Sequence, residues 1–540
     1  MKIHFLMSAV GSLLMLSVSV SAEPEPVRQI HEASPETPPP GRLPERPEPP
    51  TPVSFGMPGA FRVGVNIHEL EPLTDTDIAE ADRRAAEKYA DVSPGPQRLG
   101  LNRTIEPGLR STLNHSTFQS ESGDEKTIWT LAIRSPGAYR IRLHLSNFDV
   151  GEGSAVAYAD SDAGLIIRGP YSGRGPERDG DFWTASLPGD EVFLEITGEN
   201  EPRFEIAELT HFDRRPDGSD QVARDDGPPL LDCHLDVNCY SSEVHEVVKN
   251  ATGLMSFNDG YSCTGTLLTD LDGETAVPYF ITARHCLSTQ AEVDTLEVTW
   301  GYETDFCEDD GGMVPNPGTL PTSVGGTLVR TDAENDMTFI RLHSVPAGVT
   351  FAGWTTATGA GQYGVHHPKG SWKRVVFLED VGVCPLSCWC RDATDYDYYD
   401  RVDGLTQKGS SGSGVFTSEG KLAGQLYGVC SAYHTDGKPL TCSNINDWTN
   451  MYGEFETSWS TIGWYLQIGG TVHVDPARAN PLFLVGTYAL PYATIEQAIN
   501  IGWPELRVKI QAGNYASPLT FDKPMKFLAM GGTVTIGRGP

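Results

Sequence analysis

The chain has 540 residues, 39% hydrophobic and 21% charged, with 72 acidic against 40 basic side chains and a net charge of −32. That length points to three or four domains of ordinary globular composition. The charge excludes nucleic acid as a partner, because binding it needs clustered Lys and Arg to displace counterions. Residues 1–22, "MKIHFLMSAVGSLLMLSVSVSA", join basic Lys2 to an apolar run that ends with Val20 and Ala22 at small-residue positions. They predict a secretory signal peptide cleaved after Ala22. A membrane anchor is the competing reading, but the run is short against the roughly 20 apolar residues a spanning helix needs. The mature chain is therefore expected outside the cell and free of the membrane.

Residues 23–60 are dense in Pro and Glu. Such a stretch cannot bury a core and is expected to be a disordered linker. Within 61–215, "DTDIAEADRRAAEKYAD" predicts a helix. After it "TIWTLAIRS", "AYRIRLHLSNF", "SAVAYADS", "GLIIRGPYSG", "DFWTASLPG", "EVFLEITGE" and "RFEIAELTHF" predict short strands between Gly, Pro and Asp. The spacing fits a β-sandwich. Residues 216–227 form a polar connector. Residues 228–467 again alternate like many short strands, from "YSCTGTLLT" and "VPYFITARHC" to "KLAGQLYGV" and "ETSWSTIGWYL", a density that fits a β-barrel architecture. Residues 468–540 carry one short helical pattern and several short strands.

All ten cysteines lie between Cys233 and Cys442. An even number confined to one segment of an exported chain implies disulfides. Zinc is the alternative for Cys384, Cys388 and Cys390, but their spacing lacks a matching second pair. "HEVVK" at 245–249 fails the zinc-helix pattern because Lys249 replaces the second His. No metal or organic cofactor is expected.

"PYFITARHCL" places His285 directly after an apolar strand and beside Cys286, while Cys263 lies on another strand upstream. A bridge between these two cysteines would hold the histidine loop rigid, as a catalytic base requires. In "ENDMTFIRL", Asp336 heads an alternating strand. An aspartate there is costly to bury unless paired, and orienting an imidazole is one way to pair it. In "KGSSGSG", Gly409 and Gly412 flank Ser410 and Ser411, and a G-x-S-G-x loop makes Ser411 the nucleophile. The amides of Gly409 and Ser411 could then face one oxyanion, worth roughly 3–4 kcal/mol per donor. Each signal alone has a bland reading: a chance histidine beside a disulfide, a turn aspartate, a flexible Gly/Ser turn. The order His285, Asp336, Ser411 makes the combination specific.

Together "CHLDVNC", "CTGTLL", "PYFITARHC", "DMTFIRL", "GVHHPKGSWKRVVF", "GSSGS", "GQLYG" and "YGEFETSW" resemble the secreted bacterial lysyl endopeptidases of the chymotrypsin-like fold, over about 228–467. The resemblance implies two six-stranded β-barrels with the cleft between them. It implies a triad of His285, Asp336 and Ser411, with Gly409 as oxyanion donor. It also implies bridges Cys263–Cys286, Cys239–Cys307 and Cys233–Cys442, leaving Cys430 for one of Cys384, Cys388 and Cys390. Two positions depart from the family. Asn450 stands where an aspartate would recognise a substrate lysine, and Tyr427, before Gly428 on the strand lining the cleft, replaces a histidine. "HHP" at His366–Pro368 recurs in the family and is read as structural. Ser410 stands where trypsin-like zymogens use an aspartate for activation, so a different control is expected.

These readings converge on an all-β, secreted serine endopeptidase acting on proteins or peptides as a monomer. The 61–215 region is expected to be a pro-domain that assists folding or inhibits, released by cleavage in the connector, for instance after Arg224. An adhesive sandwich is the rival for that region, and a non-catalytic binding protein is the rival for the whole chain. Residues 468–540 resemble the first turns of a parallel β-helix.

Overall fold

The computed structural model describes residues 30–38, 48–56, 67–90, 92, 95–109, 114–119, 125–214, 231–382, 384, 395–431, 442, 448–480, 486–500, 506–515, 519–520 and 525–537. The signal peptide, the 216–227 connector with Arg224, Cys388 and Cys390 lie outside these residues. Among the described residues no helix is long and apolar enough to cross a membrane.

Part of the Pro/Glu-rich stretch is ordered, contrary to the linker expectation. Its residues cannot form a core, but they can add to one that exists. Strand β1 (Glu32–Ala33) pairs with residues 354–355 of a later sheet, and Val53 and Ser54 donate backbone N–H groups to the Glu195 carboxylate at 2.6 and 3.0 Å. Strand β2 (Ile67–Glu69) and helix α1 (Asp75–Lys88) follow. Thr74 caps α1, exchanging hydrogen bonds with Asp77, so the first turn's free amides are satisfied.

Next come β3 (Gln97–Arg98), β4 (Leu101–Leu109), β5 (Asn114–Gln119), β6 (Glu125–Arg134), β7 (Arg140–Asp149), β8 (Ser154–Ser161), β9 (Gly164–Ser172), β10 (Phe182–Trp183), β11 (Leu187–Pro188), β12 (Glu191–Gly198) and β13 (Arg203–Phe212). One sheet runs β10-β7-β13-β4 with β11 on β7. The other runs β2-β6-β12-β8-β9 with β5 on β6. Leu143 and Leu145 of β7 share one core with Leu131, Ile133, Leu194 and Ile196 from the other sheet. Two sheets with one shared apolar layer make a sandwich.

The next sheet contains β15 (Thr252–Phe257), β16 (Tyr261–Leu268), β17 (Tyr279–Ala283), β18 (Glu297–Thr299), β19 (Thr322–Val324), β20 (Gly326–Asp332) and β21 (Met337–Leu342), after a short β14 (Leu235–Asp236) and helix α2 (Glu246–Ala251). Its order is β19-β18-β15-β16-β17-β21-β20, and β3 joins it along β16. The following sheet holds β22 (Gly353–Thr355), β23 (Tyr363–His366), β24 (Arg374–Asp380), β25 (Tyr396–Asp403), β26 (Gly414–Phe416), β27 (Lys421–Ser431) and β28 (Trp448–Glu454). Its path β27-β26-β23-β24-β25-β28 closes on itself because β28 also pairs with β27. Closure removes open edges. The fold is therefore all-β, as expected.

One element reverses its expected type. "ETSWSTIGWYL" is helix α3 (Phe455–Ile468), not a strand. Its aromatic and β-branched composition suggests a strand. Its buried residues Phe455, Ser458, Ile462 and Leu466 recur at helical spacing, and that periodicity wins. Beyond it, β29 (Thr471–Val474), β30 (Arg507–Tyr515) and β31 (Lys526–Ile536) form a parallel sheet beside helix α4 (Ile495–Ile499).

Candidate active site

His285 follows β17, and Asp336 occupies the turn just before β21, the strand paired with β17. Adjacent strands thus bring the two side chains together. Asp336 Oδ2 lies 2.7 Å from His285 Nδ1, and Oδ1 accepts the His285 backbone N–H at 3.0 Å. The Asp336 carbonyl also accepts from the Arg284 amide at 2.8 Å. Both side chains are nearly buried, and Asp336 adopts φ +56°, a left-handed conformation uncommon for a side-chain-bearing residue. Backbone strain of this kind persists only where the surroundings over-determine it. The surroundings include Asn335, whose carbonyl accepts from Gln425 Nε2 at 2.8 Å and whose amide donates to Ser458 Oγ at 2.6 Å. Nothing local in the sequence marks Asn335 or Gln425, because their bond spans 90 positions.

The serine loop is held from the sheet carrying β16 and from the closed sheet carrying β27. Thr264 of β16 donates its N–H to the Ser411 carbonyl and its hydroxyl to the Gly409 carbonyl, each at 2.9 Å. Gly412 N–H donates to the Leu426 carbonyl of β27 at 2.9 Å. Gly409 and Gly412 sit at φ +91° and +80°. A Cβ on Gly412 would stand 2.2 Å from Thr282 Oγ1. The glycines of "GSSGSG" are therefore steric requirements of a rigid loop, not flexible spacers.

Ser410, the residue before Ser411, is buried with its Oγ 2.7 Å from His366 Nδ1 and accepting the Gln407 amide at 3.1 Å. Burial, then the nearby His234, His367 and Arg374, hold the His366 pKa well below the ordinary histidine range. A neutral imidazole can accept the Ser410 proton. His367 is likewise pushed down to about 3, chiefly by burial. Its N–H donates to Thr264 Oγ1 at 3.0 Å. The "HHP" residues thus brace the serine loop from behind.

The disulfide Cys263–Cys286 ties β16 to the residue after His285, and Cys286 Sγ lies 3.9 Å from the Ser411 carbonyl. His285 Nε2, the ring nitrogen away from Asp336, is buried without a hydrogen-bond partner among the described residues. Tyr427 stands edge-on to His285 with ring centroids 5.9 Å apart, and Gly428 follows it on β27. Asn450 lies on β28 opposite Val429, fully buried. Its Oδ1 accepts the Thr406 hydroxyl at 2.7 Å, and its Nδ2 faces the Tyr399 carbonyl at 3.5 Å. Disulfides Cys233–Cys442 and Cys239–Cys307 are also present, and Cys384 and Cys430 are both disulfide-bonded.

Residues 231–440 match the family described as lysyl endopeptidase, C-terminal domain. A lysyl endopeptidase of Pseudomonas aeruginosa is 27% identical over 297 residues, which cover 51% of this chain and 62% of that protein. The chain thus spans less than two thirds of that relative. Among solved structures, a Glu endopeptidase in complex with MPD is 15% identical with TM-score 0.27, covering 44% of this chain and 99% of that one. A serine endoprotease from Yersinia pestis is 12% identical with TM-score 0.26, covering 41% and 64%. The resemblance to lysyl endopeptidase-like serine proteases stands on the family and sequence matches.

Proposed function

We propose that this chain is a secreted serine endopeptidase that cleaves proteins or peptides through an acyl-enzyme. The observation that carries the reading is His285, bonded to Asp336 on one ring nitrogen and buried with the other unpartnered beside the serine loop. In the mechanism, His285 Nε2 takes the Ser411 hydroxyl proton as the oxygen attacks the peptide carbonyl. Asp336 fixes the imidazole orientation and stabilises its protonated form. The Gly409 and Ser411 amides receive the oxyanion. His285 then returns the proton to the leaving amine, and water repeats the sequence on the ester.

Asn450 shapes the first specificity pocket. It is neutral, and its acceptor oxygen already holds the Thr406 hydroxyl. A substrate ammonium there meets no full charge, so cleavage is not confined to lysine. The test is a digest of a denatured protein mixture by the mature chain, its Ser411→Ala variant and its Asn450→Asp variant, with new termini mapped by mass spectrometry. The expected result is cleavage by the parent, none by Ser411→Ala, and a rise in the share of lysine sites of roughly tenfold with Asn450→Asp. Cleavage restricted to lysine by the parent overturns the pocket reading. No cleavage by the parent overturns the enzyme reading in favour of a binding protein.

A further inference from the structure

Residues 95–100 run along the mouth of β16. Gln97 and Arg98 pair antiparallel with Ser262 and Tyr261, and Leu99 N–H donates to the Gly260 carbonyl at 2.8 Å. Two residues before Gln97, the Gly95 carbonyl accepts the Gly409 amide at 3.1 Å. Gly409 is the amide assigned above to the oxyanion. A carbonyl bonded to it takes a donor that a substrate's reacting carbonyl would need, and the residues that follow it pair with β16. Ser411 is 0% exposed.

We propose that residues 95–98 are a resident blocker of the cleft. Gly95 fills the reacting position, Pro96 the first leaving-side position, and Gln97–Arg98 a strand along β16. This rests on the catalytic reading above and deepens it by identifying what controls the site. Pro96 supplies a ring-bearing nitrogen where a peptide substrate would present N–H, so the occupant differs from a substrate at the atom that must receive the proton. Ser410 bonds to His366 and Gln407 rather than to a freed N-terminus. Control by an occupant fits a serine loop that is already braced.

The blocker is anchored from the sandwich side. Arg98, 3% exposed, donates from Nε to Asp82 of α1 at 2.5 Å and from Nη1 and Nη2 to the two Asp213 oxygens at 2.6 and 2.9 Å. Asp213 directly follows β13. The Arg98–Asp213 contact is bidentate, which sets direction as well as attraction. Leu99 packs on Gly370, where a Cβ would come 2.6 Å from Leu99 Cδ1, and Gly370 N stands 3.2 Å from the Cβ position of Gly409. One short segment therefore touches the oxyanion loop, the strand bracing it and the turn behind it. Cutting the chain between 214 and 231 would leave these contacts in place, so activation requires the sandwich to leave.

The test uses the full chain. Reaction of Ser411 with a fluorophosphonate probe is timed for the parent, Arg98→Ala and Asp213→Asn. Hydrogen exchange of the Gly409 amide is followed in the Ser411→Ala background with and without Arg98→Ala. The expected result is slow labelling of the parent, acceleration of about tenfold or more with Arg98→Ala, and a smaller gain with Asp213→Asn, because rate follows the open fraction. The Gly409 amide is slow to exchange in the parent background and faster with Arg98→Ala. Equal and measurable labelling of all three chains, or exchange of Gly409 at the rate of an unprotected amide, overturns the blocker. Should Arg98→Ala fail to fold, Asp213→Asn and the parent's own exchange still decide. No labelling of any chain, with Gly409 protection lost on Arg98→Ala, supports the blocker and sinks the catalytic reading instead.

Discussion

Between the sandwich and the sheet running from β15 to β21, Arg140, Arg142, Arg168 and Glu297 are all buried, while in the core packed on that sheet Phe280, Ile281, Phe339 and Ile340 are buried among hydrocarbon. In the seam, Ser186 donates its N–H and its hydroxyl to Glu297 Oε1 at 2.8 and 2.9 Å. Arg140 donates to Ser256 Oγ at 2.9 Å, and Arg168 to the Gly318 carbonyl at 2.7 Å. Burial alone would raise the Glu297 pKa, but Arg142 and Arg140 outweigh it and hold the carboxyl below its ordinary value. Burial pushes Arg142 down to about 10. The seam and the core differ in what happens when they open. Water can replace every partner in the seam, whereas an exposed apolar core has no such substitute. A seam of this kind suits a partner that departs, as the proposed blocker requires.

The largest effect that would break this contrast is Glu297→Ala. It leaves two buried guanidinium groups without their carboxylate and is expected to cost about 3–5 kcal/mol, read from urea unfolding of the full chain. A cost near zero would mean that water already reaches the seam. Ile340→Val removes one methylene from that apolar core and is expected to cost about 0.5–1.5 kcal/mol. A larger loss than for Glu297→Ala would reverse the ranking of the two regions.

Acid provides a finer comparison. His234 and His367 are each held down to about 3, mainly by burial. The unfolded chain binds their protons at about pH 6.5 while the folded chain does not. Their contribution to stability is therefore present above pH 6.5 and is lost as pH falls toward 3. Asp270 works in the opposite direction: burial raises it to about 7, so it favours the fold below that value. His234, His366 and His367 against Asp270 predict a net loss of stability on acidification, read as a falling melting temperature. A rising one would contradict the buried neutral imidazoles. The smallest effect belongs to Arg83→Ala, which breaks exposed pairs with Glu80 and Glu87 and is expected to leave the urea midpoint unchanged.

Much of the candidate site was legible in the chain itself. A histidine after an apolar strand, an aspartate heading the next and a serine between glycines are local signals, and their order narrowed the fold. Helix α1 was legible from composition, while α3 was not, because strand-favouring residues masked a helical burial pattern. The blocker was illegible for a different reason. Gln97–Arg98 is a strand of two residues with no periodicity to read, and Gly95 is chemically blank. The same holds for Thr264 and Gln425, whose roles come from partners far along the chain.

What the sequence determined by itself was which groups can act: one imidazole beside a cysteine, one carboxylate costly to bury alone, and one serine in a glycine-bounded loop. Local residue chemistry suffices for that, since reactivity and turn geometry are written in neighbouring positions. Only the tertiary structure decided what lies against them. Strand pairing sets backbone donors against carbonyls irrespective of side chain, so the placing of Gly95 on the Gly409 amide depended on register, not on residue identity.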